Sequence, residues 1–173
     1  RISTPEAIGN VQNFISENTK ANPSTPYGIS HLATDLTLLA YYKYNKFPFV
    51  ISRFSNFYGS HQQPHRIIPK TLYCIFNKKK LSLHGGGKTI RSFIYIDDFC
   101  EGIYKSMTKG RLGEIYNFTN REYVSIVWVV KKICFLTSVN FNKLVKISKD
   151  RPTKDHSYKM NPTKAEKAFN WKP

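Results

Sequence analysis

Segments with helical spacing and segments with strand composition alternate along this chain. Residues 27 to about 44 predict a long helix, because apolar side chains recur there every three or four positions. Further helices are predicted at 67–76, about 98–107, 126–136 and from 162 to just before Trp171. Strands are predicted at 1–4, 49–54, 81–83, 93–96, 115–118 and 144–147. Strands that alternate with helices indicate an α/β fold with a largely parallel sheet.

Three of the predicted helix starts carry cap signals. Asp98 precedes Glu101 by three residues, which is the spacing of a capping box. Ser125 and Asn161 are N-cap residues by type, and Pro162 suits the first helical position. Helix capping is therefore the preferred explanation for the acidic pair at 97–98.

Size and charge limit the functional classes. With 173 residues the chain can form one sizeable core, and its net charge of +16 suits an anionic partner such as nucleic acid, a phosphorylated ligand or an acidic membrane. The lysines are scattered except for the block at 78–80, so a solvated lysine surface is the default explanation. No aromatic-studded basic motif and no DNA-reading helix is recognisable, which makes nucleic acid an unlikely partner.

Cysteine usage and hydropathy predict a cytoplasmic protein. Cys74, Cys100 and Cys134 are widely spaced, without the spacing of metal ligands, and are expected to be buried thiols. No apolar run approaches the ~20 residues of a membrane span, so no membrane partner is predicted. No signal peptide heads the chain, and Arg1 opens inside a predicted strand without an initiator Met, which suggests a piece of a longer protein.

Tyr27 and His31 stand four positions apart at the start of the long helix. Residues i and i+4 lie on the same helix face, so a hydroxyl and an imidazole can share a site. A tyrosine that exchanges protons near neutral pH needs a nearby cation, because its free pKa is about 10. Taken alone, the pair is more often an ordinary tyrosine near a helix start.

A dinucleotide-binding turn is missing from this sequence. No Gly-x-Gly-x-x-Gly stands between a predicted strand and helix, and the glycines at 85–87 are too few and misplaced. A dinucleotide normally needs that turn, with its pyrophosphate at the following helix N-terminus. The chain alone is expected to bind NAD poorly.

An ordered series of short motifs changes the interpretation of the Tyr27–His31 pair. The motifs lie at 2–9, 26–31, 53–59, 66–69, 85–87, 91–98, 113–117, 150–152 and 171–173. Together they resemble the C-terminal half of the extended short-chain dehydrogenase/reductases, in particular the NAD-dependent nucleotide-sugar 4,6-dehydratases and epimerases. The resemblance implies the C-terminal part of a Rossmann-like parallel sheet plus a small α/β substrate-binding domain. Residues from 1 to about 60, with the Tyr27 helix, would end the Rossmann-like core. Residues from about 61 to 173 would mainly form the substrate-binding part, interleaved with core elements, and the N-terminal dinucleotide-binding half would be missing.

The resemblance also implies catalytic roles. NAD would remove hydride from C4 of the sugar, Tyr27 would take the proton of the 4-hydroxyl, and Thr4 would hydrogen-bond that hydroxyl. Glu6 matches the carboxylate that removes the C5 proton in the dehydratases. Pro5 stands where those enzymes carry an aspartic acid that protonates the departing 6-hydroxyl, and proline has no such proton. The retained residues therefore suit oxidation at C4, and dehydration lacks its usual acid.

His31 stands where the family carries a lysine that lowers the tyrosine pKa and holds the ribose hydroxyls of NAD. A histidine of pKa near ~6.5 is mostly neutral at pH 7, so its electrostatic contribution would be smaller. His31 is nevertheless kept as a catalytic and cofactor-binding candidate together with Tyr27.

On the substrate side, the resemblance implies a nucleotide-diphosphate sugar as ligand. Arg91 and Arg151 match arginines that bind the diphosphate, for which guanidinium groups are well suited. Asn56 matches a residue near the same diphosphate, and Arg66 lies in the loop that closes over the nucleotide. The family also implies a homodimer, with the apolar faces of 27–44 and 67–76 partly in the interface.

Two other functions remain open at this stage. The chain could be a non-catalytic nucleotide- or nucleic-acid-binding basic domain, or an inert remnant of an enzyme. As a fragment it is expected to be inactive alone.

Overall fold

The computed structural model describes residues 1–150 and 156–173. Its strands are β1 (Ile2–Ser3), β2 (Ile51–Phe54), β3 (Asn56–Tyr58), β4 (Leu81–His84), β5 (Ile90–Arg91), β6 (Phe93–Tyr95), β7 (Ile115–Phe118), β8 (Val124–Ser125) and β9 (Val145–Ser148). Its helices are α1 (Pro26–Asn45), α2 (Ile67–Phe76), α3 (Ile96–Lys109), α4 (Ile126–Leu136), α5 (Phe141–Leu144) and α6 (Thr163–Phe169), with 3-10 turns at Pro5–Ala7 and Gly85–Gly87. Alternation of helices with strands confirms the α/β prediction.

The main sheet is parallel, as predicted. Its order is β1-β2-β7, with Ile2 opposite Ser52 and Ile51 opposite Ile115. β3 and β6 form a second parallel pair, and β4 and β9 a third. β5 and β8 pair in antiparallel fashion. Parallel strands end at the same edge, so the loops after β1 and β2 meet on one side of the sheet.

An aromatic core lies between the main sheet and helices α3 and α6. Phe118 is fully buried and stacks on Phe54 with ring centroids 4.7 Å apart. Trp171, also fully buried, meets Phe118 edge-on at 5.1 Å and donates its indole N–H to the carbonyl oxygen of Asp98. These contacts attach the last residues of the chain to the centre of the fold.

A second core fills the space between the β4–β9 pair and the helices α2 and α4. Leu81 and Val130 are fully buried there, next to the thiols of Cys74 and Cys134. A smaller third cluster contains Ile8, Ile15, Tyr158 and Met160. The long helix α1 contributes no buried apolar side chain to any of the three cores.

The structure corrects the prediction for the start of α3. The predicted capping box of Asp98 and Glu101 does not form. The helix begins directly after β6, and Tyr95 is its N-cap residue. Asp97 and Asp98 lie in its first turn, where carboxylates interact favourably with the helix dipole. At α6 the boundary lies one residue later than predicted, although the side chain of Asn161 still accepts a hydrogen bond from the amide of Thr163 at 3.0 Å.

The thiols and the short elements also differ from expectation. Cys74 and Cys134 are buried as predicted, but Cys100 is exposed because it lies on the outer face of α3. The sequence patterns missed β3, β5, β8 and α5, each of four residues or fewer. In the described part of the chain, no helix is long and apolar enough to cross a membrane.

Candidate active site

A cavity of about 810 Å³ opens at the carboxyl ends of β1 and β2. This is the edge at which open parallel sheets bind ligands, and the volume falls within the range of small-molecule sites. One wall is formed by residues that follow β1 and by the first turns of α1, and the opposite wall by β3, the start of α2 and β5. Predicted catalytic and predicted substrate-binding residues therefore face the same space.

The first turn of α1 presents Tyr27 and His31 to the cavity. The hydroxyl of Thr25 caps this helix by accepting the amide of Gly28 at 3.0 Å, and Pro26 occupies its first turn. The rings of Tyr27 and His31 lie with centroids 4.4 Å apart, and Tyr27 is 51% exposed. The predicted sharing of one helix face is confirmed, and the phenol is open to a ligand.

Gly28 allows α1 to approach the turn that carries Glu6. A Cβ atom at Gly28 would lie 2.4 Å from the carbonyl oxygen of Glu6, so any larger residue would push the helix away. Thr4 caps the 3-10 turn Pro5–Ala7 by accepting the amide of Glu6 at 3.4 Å. Thr4 and Glu6 consequently line the cavity together with Tyr27.

Pro5 occupies the first position of this 3-10 turn and is buried. A proline is favourable there, because the first turn of a helix does not use the amide that proline lacks. The position predicted for a general acid therefore serves the local fold, and its side chain has no proton to donate.

The surroundings of His31 disfavour its charged form. Nη2 of Arg1 lies 3.0 Å from Nδ1 of the imidazole, and Nε of Arg1 lies 3.4 Å from a carboxylate oxygen of Asp35. Burial lowers the pKa of His31, the positive charge of Arg1 lowers it further, and Asp35 opposes them. His31 is thus neutral at pH 7, in agreement with the expectation from its residue type.

The substrate-side candidates form the opposite wall. Asn56 opens β3, Arg66 stands at the N-cap of α2 and Arg91 lies in β5, and all three line the cavity. The guanidinium of Arg91 donates to the carbonyl oxygen of Ile90 at 2.7 Å and stacks 4.3 Å from the ring centroid of Tyr158. These contacts fix the arginine in one orientation towards the cavity. Arg151 lies outside the described residues.

Several cavity residues were not predicted from the sequence. His61, His65 and His84 line the cavity, and so does Lys70. His84 ends β4, and its Nδ1 lies 3.0 Å from the hydroxyl of Ser148 on β9. The sequence does place His84 at the end of a predicted strand, next to a glycine turn. That strand pairs with a segment more than 60 residues away, however, so the sequence alone did not show that His84 lies at the cavity. Among the described residues, no three His, Cys, Asp or Glu side chains are grouped closely enough to hold a metal ion.

Comparisons with known proteins show the family to which the chain belongs. The model of the GDP-mannose 4,6 dehydratase family matches residues 1–173, so the chain belongs to that family. A human dTDP-D-glucose 4,6-dehydratase is 33% identical over 99% of this chain and 51% of its own length. The chain spans about half the length of the curated relatives it matches. The predicted resemblance to the C-terminal half of such enzymes is confirmed.

Solved structures show the same fold. A dTDP-glucose 4,6-dehydratase from Bacillus anthracis, determined in complex with NAD, has a TM-score of 0.94 and 33% identity, covering 99% of this chain and 55% of its own. A UDP-glucuronic acid 4-epimerase from Bacillus cereus, in complex with UDP-glucuronic acid and NAD, has a TM-score of 0.93 and 25% identity over the same shares. The family thus includes dehydratases and epimerases of nucleotide sugars.

Proposed function

We propose that this chain is the substrate-binding half of an NAD-dependent nucleotide-sugar dehydratase or epimerase, active when joined to a dinucleotide-binding half and inactive alone. The observation that carries the proposal is the shared cavity, in which Thr4, Glu6, Tyr27 and His31 face Asn56, Arg66 and Arg91. Family membership over residues 1–173 supports it. The two buried free thiols, Cys74 and Cys134, suit a reducing cytoplasm.

The residues on the α1 side fit a nicotinamide cofactor. Tyr27 is open to the cavity, and His31 lies on the same face of α1, next to the exposed Ile2 of β1. Tyr27 and His31 would hold the cofactor from this side, with the rest of its site supplied by a preceding segment. When bound, NAD supplies the acceptor for the hydride that leaves C4 of the sugar.

In this proposal Tyr27 moves the proton of the oxidation. Tyr27 acts here as the phenolate: the 4-hydroxyl gives its proton to the phenolate oxygen, which becomes the neutral phenol, as its carbon loses hydride. Thr4 holds the same hydroxyl by a hydrogen bond. The resulting ketone acidifies C5, so the carboxylate of Glu6 is the base for the C5 proton. Loss of the 6-hydroxyl would require an acid, and Pro5 does not provide one. The chain is therefore equipped for oxidation at C4, with dehydration dependent on another proton donor.

Positive charge opposite Tyr27 suits the diphosphate of a nucleotide sugar. Arg91 is oriented by its stacking on Tyr158, and Arg66 stands exposed at the mouth of the cavity. Guanidinium groups bind phosphate oxygens through two parallel hydrogen bonds. Arg151 is proposed as a third diphosphate ligand on the family resemblance alone.

A homodimer is proposed from the outer face of α1. Ile29 and Leu36 are more than half exposed on this helix, and so are Tyr41 and Tyr44. Large side chains on one unpartnered helix form an apolar surface typical of an interface. The predicted contribution of 67–76 is smaller, because α2 packs against α4 and exposes mainly Tyr73 and Phe76.

The substitution Tyr27→Phe in the full protein tests the proposed function. It is expected to reduce C4 oxidation by about 10²–10⁴-fold, because the proton acceptor is lost. Binding of the nucleotide diphosphate should be unchanged, since Arg66 and Arg91 remain. Tyr104→Phe, an exposed tyrosine on α3 that does not line the cavity, is the matched control and should turn over normally. Retained turnover in Tyr27→Phe would remove Tyr27 from the mechanism.

Binding measurements separate this function from a basic nucleic-acid-binding domain. We expect a nucleoside diphosphate to bind with base preference and Arg91→Met to weaken it at least ~10-fold. A nucleic-acid binder would instead hold any random duplex and lose affinity steeply with salt. That second result, without binding of nucleoside diphosphates, would contradict the proposal.

A further inference from the structure

We propose that Arg1 is a positioning residue that holds His31 as a neutral hydrogen-bond donor with its hydrogen on Nε2. The inference concerns the position at which the family resemblance leads one to expect a lysine. It depends on the proposed function in one respect only: the identity of the bound group that accepts the hydrogen bond from His31.

The contact between the two side chains determines the tautomer. Nη2 of Arg1 lies 3.0 Å from Nδ1 of His31. A guanidinium has only donors, so Nδ1 must accept, and a neutral imidazole that accepts at Nδ1 carries its hydrogen on Nε2. An imidazolium would place two donors face to face at this distance. The pair is therefore compatible with one protonation state of His31.

A buried carboxylate fixes Arg1 in this position. Nε of Arg1 lies 3.4 Å from Oδ1 of Asp35, whose side chain is 3% exposed, and Oδ2 of Asp35 accepts the hydroxyl of Ser3 at 2.5 Å. Arg1 precedes β1 and Ser3 is the last residue of that strand, while Asp35 lies one turn beyond His31 on α1. The network thus connects the edge strand to the catalytic helix and leaves the guanidinium little freedom to turn away.

The charged and titratable groups around His31 come from four elements. Arg1 precedes β1, Tyr27 and Asp35 share α1 with His31, Glu6 lies in the 3-10 turn packed on α1, and Arg53 lies on β2. Burial lowers the pKa of Arg53, and the negative charge of Asp35 opposes this, so Asp35 interacts with two arginines. Burial and the charge of Arg1 prevail, and the pKa of His31 is lowered.

As a consequence, the Nε2–H group of His31 is a hydrogen-bond donor with a fixed direction beside Tyr27. With Nδ1 occupied by Arg1, Nε2–H is the group that His31 offers to the cavity it lines, next to a ring only 4.4 Å away. A lysine would supply a positive charge at this place, whereas His31 supplies a neutral donor. Behind this wall of the cavity, the permanent positive charge is that of Arg1, which contacts His31.

Histidine NMR on the full protein tests the assignment. With ¹⁵N-labelled imidazoles, and His31→Gln to identify the signal, we expect unprotonated Nδ1 and protonated Nε2 at pH 7, and a titration midpoint below that of an ordinary histidine. Arg1→Met should raise the His31 midpoint, because a neighbouring positive charge is lost, and should reduce the excess of the Nε2–H tautomer towards that of a free imidazole. The matched control is Arg121→Met, which removes another arginine–carboxylate pair, bonded to Glu166 at 2.6 Å. It should leave His31 unchanged.

Two outcomes would overturn the proposal. One is an imidazolium, or a hydrogen on Nδ1, in the wild-type protein at pH 7. The other is an Arg1→Met variant with the wild-type tautomer and midpoint. If Arg1→Met does not fold, Arg1→Lys and the wild-type spectrum still decide, because the lysine keeps a donor that should preserve the tautomer. Failure of the proposed function would appear as absent sugar turnover, whereas the spectrum reports on Arg1 and His31 in either case.

The pH profile of C4 oxidation provides a second readout. Any inflection from His31 in the wild-type rate should lie below the pKa of an ordinary histidine, and Arg1→Met should move it to higher pH. An inflection near pH 6.5 in the wild-type enzyme that His31→Gln abolishes would contradict a neutral His31.

Discussion

Helices α1 and α3 lie in the same chain but have opposite surroundings. α1 has 20 residues and buries only Gly28 and Asp35. α3 has 14 residues, buries Phe99, Gly102 and Ser106, and packs on β2, β6 and α6. A helix normally gains most of its stability from an apolar face packed on a core. The difference shows that α1 is attached mainly by its first turn, by Asp35 and by the contact of Tyr42 with Phe49, while most of its surface is exposed.

The two edges of the main sheet show the same difference. The outer edge of β7 is covered, because the amide of Asn117 donates to Glu17 and Lys164 donates to the carbonyl oxygen of Ile115. At the other edge Ile2 of β1 is 45% exposed, and within residues 1–150 and 156–173 no strand pairs with the outer side of β1. Uncovered edge strands invite pairing with further strands. The covered edge at β7 is the closed side of the sheet and the uncovered edge at β1 is its open side; in our proposal a preceding segment contacts the open side.

Truncating one aromatic ring on the closed side should have the largest effect. Phe118→Ala is expected to lower the free energy of unfolding by about 3–5 kcal/mol, because Phe118 is fully buried among Phe54, Phe169 and Trp171. Leu36→Ala on α1, where the side chain is 55% exposed, should change it by less than ~0.5 kcal/mol. Urea denaturation measures both. Equal losses would show that α1 is packed as tightly as the core.

Asp35 is a buried, hydrogen-bonded side chain on the otherwise exposed helix α1, so its substitution should lower the free energy of unfolding by an intermediate amount. Asp35→Ala removes the acceptor of Ser3 and Arg1 and leaves Arg53 less compensated, so a loss of about 2 kcal/mol is expected. Asp97→Ala, exposed in the first turn of α3, is the control and should cost no more than ~0.5 kcal/mol. If the two variants unfolded at the same urea concentration, Asp35 would not anchor α1.

The smallest predicted effect concerns acid stability on the closed side. A hydrogen bond from Lys164 at 2.7 Å lowers the pKa of Glu114, against the opposing effect of burial. Because the folded pKa lies below the unfolded one, this stabilisation is present above about pH 4.5 and is lost as the pH falls through the folded value. Both side chains are more than a third exposed, so screening limits it to a few tenths of a kcal/mol. In Lys164→Met, the decrease in the free energy of unfolding between about pH 5 and 3 should be smaller by that amount. The same decrease in the variant and the wild-type protein would contradict the pairing of Lys164 with Glu114.

The sequence predicted long elements well because their signals are repeated over many residues. The apolar spacing of 27–44 and the run at 67–76 gave α1 and α2 within a residue or so of their ends. β3 was missed because only Ser55 separates it from β2, and its partner β6 is more than 30 residues away. The cap of α3 was misjudged because β6 leads into that helix without a loop, which leaves no room for Asp98 as cap.

The candidate site was predicted by motif order rather than by local pattern. Tyr27 and His31 could be paired from their spacing, but the approach of Glu6 depends on Gly28 lying against the 3-10 turn. The contact of Arg1 with His31 depends on how β1 and α1 pack, and 30 residues separate the two side chains. Exposure of Cys100 was missed because residue type favours burial, whereas the helix face decides it.

The mass and N-terminal sequence of the native protein in its source cell test the central claim most directly. The open side of α1 and β1 predicts a preceding segment, and the curated relatives, of which this chain covers about half the length, predict a product about twice as long. That segment should carry a glycine-rich strand–turn–helix unit able to bind the pyrophosphate of NAD. A native product that begins at Arg1 would contradict the account, because the cofactor side of the cavity would then have nothing to complete it.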